Sequence, residues 1–184
     1  MKKRVNLKRF FKWEWTVAIL VICSSYSCST SQPAKAGANI GNQAPEIVCD
    51  AVEGDCVPLS SLKGQYVLIE FWSSTCNSCR ADHFEMERLY LDFKDSRFKN
   101  GSGFTIYSIA LEDNVNNWLK VLKNDRMSWP QQFCDTRKWD APASIDYMVN
   151  TLPKYFLLDG DGQIIEKNIL IRDLEKLLER CEIR

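Results

Sequence analysis

Residues 66–80 read YVLIEFWSSTCNSCR, and the interpretation of the whole chain starts from this stretch. Its first seven residues form a nearly continuous apolar run, which is typical of a central strand buried on both faces. Cys76 and Cys79 follow this run and are separated by two residues. The next apolar residues recur at helical spacing: Met86, Leu89, Tyr90 and Phe93. The stretch therefore predicts a buried strand that leads into a helix beginning at a CxxC pair.

A CxxC pair at the start of a helix suits thiol–disulfide exchange. The free N–H groups and the partial positive charge of a helix N-terminus stabilise a thiolate. Cys76, at the exposed end, is then the predicted nucleophile, and Cys79, one turn further on, resolves the mixed disulfide. A structural disulfide or half of a zinc site are the alternatives. Zinc needs four ligands, and the chain has one His and no second CxxC, so we expect no metal and no cofactor.

The remaining sequence alternates predicted strands and helices. A first hairpin is predicted over 48–59, with its turn at 53–55. The later elements are strands over 104–111, 154–159 and 163–167 and helices over 115–122 and 170–181. This order predicts an α/β fold with a mixed central β-sheet flanked by helices on both faces and an N-terminal β-hairpin extension.

Charge is distributed unevenly along the 184 residues, although the formal net charge is zero. The first 28 residues hold six Lys or Arg and one Glu, whereas the other 156 hold 18 basic and 23 acidic residues. A nucleic-acid-binding protein needs an excess of basic charge, so we expect no nucleic-acid partner. The basic start of the chain indicates a targeting segment instead.

The targeting segment has the order of a secretory signal. A basic stretch precedes the apolar run 15–22, which is too short to span a bilayer, and small polar residues follow. Ser27-Cys28-Ser29 resembles a bacterial lipoprotein cleavage site, where Cys28 would be lipidated; Cys23 is the second candidate. A plain signal peptide and an uncleaved anchor are the alternatives.

Three regions follow from these patterns: a lipoprotein-type signal segment over 1–28, a flexible tether over 29–41, rich in small polar residues, and one domain over 42–184. We therefore expect a membrane-anchored lipoprotein of the cell envelope that faces the periplasm.

The other cysteines are interpreted in this oxidising setting. Cys49 and Cys56 lie on the two arms of the predicted hairpin, where a disulfide would stabilise the fold by about 2.5 kcal/mol. Two unpaired thiols and a second redox pair are the alternatives. Cys181 is predicted to be a buried, inert thiol, and whether Cys134 pairs with it stays open.

From residue 41 onward the chain resembles the thioredoxin-like TlpA/ResA family of membrane-tethered, extracytoplasmic thiol–disulfide oxidoreductases. The resemblance rests on GNQAP at 41–45, LSSLKG at 59–64, FW with the CxxC pair at 71–79, and LPKYFLLDGDG at 152–162. It implies a thioredoxin-like fold and exchange of disulfides with exported proteins, which we expect to run reductively. A reductase would also need a membrane electron donor.

The resemblance gives three further residues a role. Pro153 matches the family's cis-proline, whose backbone lies opposite the CxxC pair and pairs with substrate. Glu70 matches the buried acid that takes a proton as the second thiol attacks; otherwise it reaches solvent or a structural Lys. Asp82 matches an acidic position that influences cysteine reactivity, or is an ordinary first-turn acid. His83 is expected to be a surface or half-buried helix residue, although it could approach the site.

Some positions depart from the family. Thr75 replaces the usual Trp before the first cysteine, Phe84 replaces a common Pro, and Asn77-Ser78 lacks the Pro often found between the cysteines. These departures leave the client protein and the direction of electron flow open.

Three other functions were weighed. A peroxiredoxin would need Thr and Pro where Ser73 and Ile69 stand, and a copper-handling protein of the Sco type needs CxxxC spacing and a distant His. The third is a non-enzymatic binding module with an inert disulfide. We favour the oxidoreductase.

Overall fold

The computed structural model describes residues 35–48 and 52–183. The strands are β1 Val52–Gly54, β2 Tyr66–Trp72, β3 Arg97–Phe98, β4 Gly101–Ser102, β5 Phe104–Leu111, β6 Gln131–Asp135, β7 Lys154–Leu158 and β8 Ile164–Lys167. The helices are α1 Asn77–Phe93, α2 Val115–Asn124, α3 Pro142–Asp146 and α4 Ile171–Cys181, with 3₁₀ turns at Leu59–Leu62 and Lys138–Asp140.

Six strands form one mixed sheet in the order β1-β6-β5-β2-β7-β8. The neighbours β6, β5 and β2 run parallel, while β7 and β8 on one side and β1 on the other run antiparallel. Every residue of β2 and of β5 is buried, which explains their continuous apolar sequences. The strands β3 and β4 form a separate two-stranded ribbon.

Helices cover both faces of the sheet, and the predicted fold class is confirmed. One core lies under α1, α2 and α4, represented by Met86, Trp118 and Leu178. The other lies under the 3₁₀ turn at Leu59–Leu62 and the α3 region, represented by Tyr147.

The predicted hairpin over 48–59 is wrong. Val52–Gly54 pairs with β6, so the predicted turn residues 53 and 54 lie in a strand, and a 3₁₀ turn replaces the second arm. Gly54 has φ +104°, and a side chain there would collide with the carbonyl of Gln132 and the ring of Trp118. The glycine thus serves close packing of two distant segments rather than a local turn.

The predicted tether is too long at its C-terminal end. Residues 35–41 fold against the domain: Ala38 is buried, and the Gly41 N–H donates to the Ile164 carbonyl at 2.8 Å. The Lys167 ammonium also donates to the Asn39 side chain at 2.8 Å. The composition of this segment predicts flexibility, but its contacts with β8 hold it in place.

No helix within 35–48 and 52–183 is long and apolar enough to cross a membrane. The predicted signal segment, with Cys23 and Cys28, lies outside the described residues. Lipidation of Cys28 therefore stays a prediction.

Candidate active site

Cys76 and Cys79 form a disulfide at the start of α1, as the CxxC pattern predicts. The S–S distance is 2.05 Å and the Cα–Cα distance is 5.3 Å. Cys76 caps α1, and its Sγ accepts a hydrogen bond from the Cys79 N–H at 3.2 Å. Cys76 is half-buried, while Cys79 is fully buried. The two sulfurs are thus unequal in their access to a partner protein.

The loop before Cys76 is held by Glu112, which follows directly after β5. The Glu112 carboxylate accepts hydrogen bonds from the Ser74 N–H, at 3.1 Å, and from the Ser74 hydroxyl. Glu112 is only 5% exposed. The sequence analysis missed this residue, although an acid at the carboxyl end of a buried parallel strand, the edge where α/β proteins place their sites, was a usable signal.

Glu70 is fully buried in β2, as predicted, and the alternative that it reaches solvent or a structural Lys is wrong. It lies opposite Ser108 of β5, whose hydroxyl donates to Glu70 Oε2 at 2.6 Å. The Trp129 indole N–H donates to the same Ser108 hydroxyl at 2.9 Å. This arrangement commits the Ser108 proton to Glu70.

His83 is fully buried, which corrects the expectation of a surface or half-buried residue. Its Nε2 lies 3.2 Å from Glu70 Oε1, and its Nδ1 lies 2.9 Å from Asp125 Oδ2. The imidazole also packs edge-on against the Trp72 ring, with centroids 4.7 Å apart. His83 is inside because carboxylates on two other elements receive it.

Asp125, the residue after α2, connects this buried group with Arg80 of α1. The Arg80 Nε and Nη2 atoms donate to the two Asp125 oxygens at 3.0 and 2.7 Å. Burial alone would raise the pKa of Asp125, but Arg80 and His83 outweigh it and hold this pKa below its ordinary value. Burial likewise would lower the pKa of His83, but Glu70 and Asp125 together raise it.

Asp82 faces a buried partner on β7. The Tyr155 hydroxyl donates to Asp82 Oδ2 at 3.0 Å. Burial raises the pKa of Asp82, the Tyr155 hydrogen bond opposes this, and the charge of Glu70 adds to it. Asp82 is therefore electrostatically coupled to Glu70 and is more than an exposed first-turn acid.

The Leu152–Pro153 peptide bond is cis, as the resemblance implies. Strand β7 begins at Lys154, which pairs with Phe71 in the antiparallel register of β2 and β7. Pro153 therefore lies at the edge of the sheet where β2 ends and the chain turns toward Cys76.

The other cysteines divide differently from the prediction. Cys134 and Cys181 are both free thiols, so they do not form a disulfide. Burial raises the pKa of Cys134 to about 11, whereas Cys181 is only half-buried and not enclosed as predicted. Cys49 lies outside the described residues, so the Cys49–Cys56 disulfide stays a prediction. Among the residues that the structure describes, no three His, Cys, Asp or Glu side chains are placed to share a metal ion.

Comparisons with known proteins agree with this geometry. The AhpC/TSA family matches residues 40–167. The thiol-disulfide oxidoreductase ResA of Bacillus anthracis is 30% identical over 146 residues, covering 75% of this chain and 74% of that protein. ResA of Bacillus cereus is 26% identical over 166 residues, covering 88% and 89%.

Solved structures give the same result. The crystal structure of the thioredoxin domain of a thiol-disulfide oxidoreductase from Bacteroides vulgatus matches with a TM-score of 0.66 and 28% identity. The match covers 77% of this chain and 96% of that domain. The chain therefore belongs to the AhpC/TSA family of thioredoxin-like proteins and is a thiol–disulfide oxidoreductase.

Proposed function

We propose that this protein exchanges disulfides with exported proteins outside the cytoplasm, with Cys76 as the nucleophile and Cys79 as the resolving thiol. The observation that carries the proposal is the unequal exposure of the two sulfurs at the start of α1. Cys76 is half-buried and caps the helix, where a thiolate is stabilised, while Cys79 is 0% exposed. Only Cys76 offers its sulfur to a second protein.

In the reductive direction, the Cys76 thiolate attacks a substrate disulfide and one substrate thiolate leaves. Cys79 then gives its proton to Glu70 and attacks Cys76 Sγ, which forms the Cys76–Cys79 disulfide and releases the second substrate thiolate. Two electrons pass from the protein dithiol to the substrate disulfide. A dithiol donor must supply them again before the next turnover, and we assign this task to a membrane electron donor.

Pro153 and Asp82 have supporting roles in this proposal. Pro153 presents its backbone beside the CxxC pair for pairing with the bound substrate segment. Asp82 influences the reactivity of the cysteines through its charge, because it interacts with Glu70 and is held by Tyr155.

The extracytoplasmic location and the lipid anchor rest on residues 1–28, which have the order of a lipoprotein signal. The resemblance to the TlpA/ResA family supports the same location and the reductive direction. Radiolabelled palmitate should label the full-length protein expressed in bacteria, and Cys28→Ala should abolish the label while Cys23→Ala should not. Label that persists in Cys28→Ala would contradict this assignment.

The exchange reaction is tested with insulin and with trapped clients. Wild-type protein should accelerate insulin reduction by dithiothreitol, and Cys76→Ser should abolish this activity. In the native host, Cys79→Ser should accumulate mixed disulfides through Cys76, and mass spectrometry would identify the clients. Cys181→Ser is the matched control and should behave as wild type. Insulin reduction that survives Cys76→Ser, or a Cys79→Ser variant that traps no protein, would contradict the proposal.

A further inference from the structure

We propose that His83, held by Asp125, is the cation that keeps the buried Glu70 in its carboxylate form, ready to accept the Cys79 proton at neutral pH. His83 is then a positioning residue that acts through Glu70. The inference depends on the proposed role of Glu70, and the experiment below separates the two.

The first observation is the contact between two fully buried side chains. Glu70 Oε1 and His83 Nε2 are 3.2 Å apart, and both side chains are 0% exposed. The contact is not aligned as a hydrogen bond, and neither atom has a hydrogen-bond partner elsewhere among the described residues. A buried carboxylate without a counter-charge is costly, and the imidazolium supplies that charge.

The second observation is that His83 faces carboxylate oxygens from both ring nitrogens. Its Nδ1 lies 2.9 Å from Asp125 Oδ2, on the side away from Glu70. A neutral imidazole carries one N–H, whereas the imidazolium carries two and can serve both carboxylates. Arg80 fixes Asp125 through two hydrogen bonds, so Asp125 is held in place to bind the charged ring.

The third observation is that the other oxygen of Glu70 is provided for as a carboxylate. Trp129 donates to the Ser108 hydroxyl, and Ser108 in turn donates to Glu70 Oε2. This chain of donors ends on an acceptor, and hydrogen bonds to an ionised carboxyl group favour the ionised form. Both Glu70 oxygens thus face groups that suit a negative charge.

The remaining ionisable groups around this pair are acids. Asp82 on α1 interacts with the charges of Glu70 and His83, and Tyr155 on β7 interacts with Glu70 and Asp82. Arg80 is directed to Asp125, while the rings of Trp72 and Trp129 pack against His83 without charge. Asp82 and Tyr155 would favour a protonated Glu70, and His83 is the contact that opposes them.

The effect falls on one step of the reaction. In the mixed disulfide, the Cys79 S–H proton moves to the Glu70 carboxylate, and the Cys79 thiolate attacks Cys76 Sγ. The Cys76–Cys79 bond forms, the bond from Cys76 to the substrate sulfur breaks, and the substrate leaves as a thiolate. Glu70 afterwards returns the proton to solvent. Without His83, a larger fraction of Glu70 is already protonated at neutral pH and cannot take the proton.

The test measures this step directly. The reduced protein is converted to a mixed disulfide between Cys76 and thionitrobenzoate, and the attack of Cys79 releases the coloured thiolate in a stopped-flow instrument. The rate is recorded from acid to alkaline pH for wild type, His83→Gln and Glu70→Gln. Arg88→Gln removes a cation on the same helix that contacts Glu85, Asp92 and Glu175, and it is the matched control.

We expect the pH–rate profile of His83→Gln to move to higher pH by about one unit or more. The rate at neutral pH then falls about tenfold, and the limiting rate at alkaline pH is retained. Glu70→Gln should be slow at every pH, and Glu70→Gln/His83→Gln should match it, because His83 acts only through Glu70. Arg88→Gln should follow the wild type.

The outcomes separate the two proposals. A wild-type profile in Glu70→Gln would refute the role of Glu70 and this inference with it. A slow Glu70→Gln together with an unshifted His83→Gln profile would refute the inference alone, as would an equal loss of rate at all pH values. If His83→Gln does not fold, Asp125→Asn replaces it and should shift the profile in the same direction by a smaller amount; an unshifted profile in Asp125→Asn would likewise refute the inference.

Discussion

Replacing Asp125 by Asn tests whether the buried ion pairs around His83 stabilise the fold. The Asp125 side chain is 10% exposed and is shared between His83, which is fully buried, and Arg80, which is 37% exposed. Asparagine has nearly the same shape but carries no charge. The substitution therefore removes the charge that both cations face and leaves the packing of α1 against α2 in place.

The expected loss combines two unequal contacts. Removing one partner of a buried ion pair costs about 3–5 kcal/mol, because the other charge stays buried. Asn retains an oxygen that can still accept from His83, so the loss at this contact should lie near the lower limit, at about 2–3 kcal/mol. The Arg80 contact is partly exposed and adds only about 0.2–1 kcal/mol. We expect Asp125→Asn to lower the free energy of unfolding by about 3 kcal/mol.

This difference in stability should depend on pH in a defined way. The pKa of Asp125 is held below its ordinary value of 3.8, so its contribution is complete above pH 3.8 and is lost as the pH falls through the lowered value. The pKa of His83 is raised above its ordinary value of 6.5, so its contribution is complete below pH 6.5 and is lost as the pH rises through the raised value. The difference between wild type and variant should therefore be largest between pH 3.8 and 6.5 and shrink on both sides.

Urea unfolding of the disulfide form, followed by circular dichroism at several pH values, measures this difference. Arg88→Gln is the control, because its partners are 34–52% exposed and each surface pair should contribute only about 0.2–1 kcal/mol. A loss in Asp125→Asn no larger than that of Arg88→Gln, or one that does not vary with pH, would refute the reasoning.

Three other substitutions have defined outcomes. Glu112→Ala leaves the Ser74 N–H and hydroxyl without their acceptor and should lower the free energy of unfolding by about 2 kcal/mol or more in urea; a loss below about 1 kcal/mol would contradict the assigned contacts. Tyr155→Phe removes the hydrogen bond that opposes the raised pKa of Asp82, so this pKa should rise further in a carboxyl NMR titration, and an unchanged or lower value would contradict the contact. Phe84→Ser should change the free energy of unfolding by no more than about 0.5 kcal/mol, because Phe84 is 81% exposed; a larger loss would mean that its ring is packed.

Local patterns in the sequence were sufficient for most of the fold. The apolar runs 66–72 and 104–111 and the helical spacing after Cys76 depend only on residues close in the chain, and each became the predicted element. The hairpin over 48–59 failed because Val52–Gly54 pairs with β6, some 80 residues away, and such a partner leaves no local signal. The tether failed at residues 35–41 for the same reason, since their contacts lie on β8.

The site divides in a similar way. Cys76, Cys79 and the buried Glu70 follow from an interrupted apolar strand and a CxxC pair. The position of His83 on α1 is equally compatible with the surface, and only the placement of Glu70 on β2 and Asp125 after α2 buries it. Asp125 itself ends a helix and carries no pattern that marks it as part of a site.

The central claim is that Cys76 attacks and Cys79 resolves, and its most direct test is the rate at which each thiol of the reduced protein is alkylated. Limiting iodoacetamide at neutral pH, followed by peptide mass mapping over time, gives a separate rate for each cysteine. The free thiols of Cys134, which is buried, and Cys181, which is half-buried, serve as internal references for exposure without activation. We predict that Cys76 is alkylated at least about tenfold faster than Cys79 and also faster than Cys181. Alkylation of Cys79 at the same rate as Cys76, or ahead of it, would contradict the account.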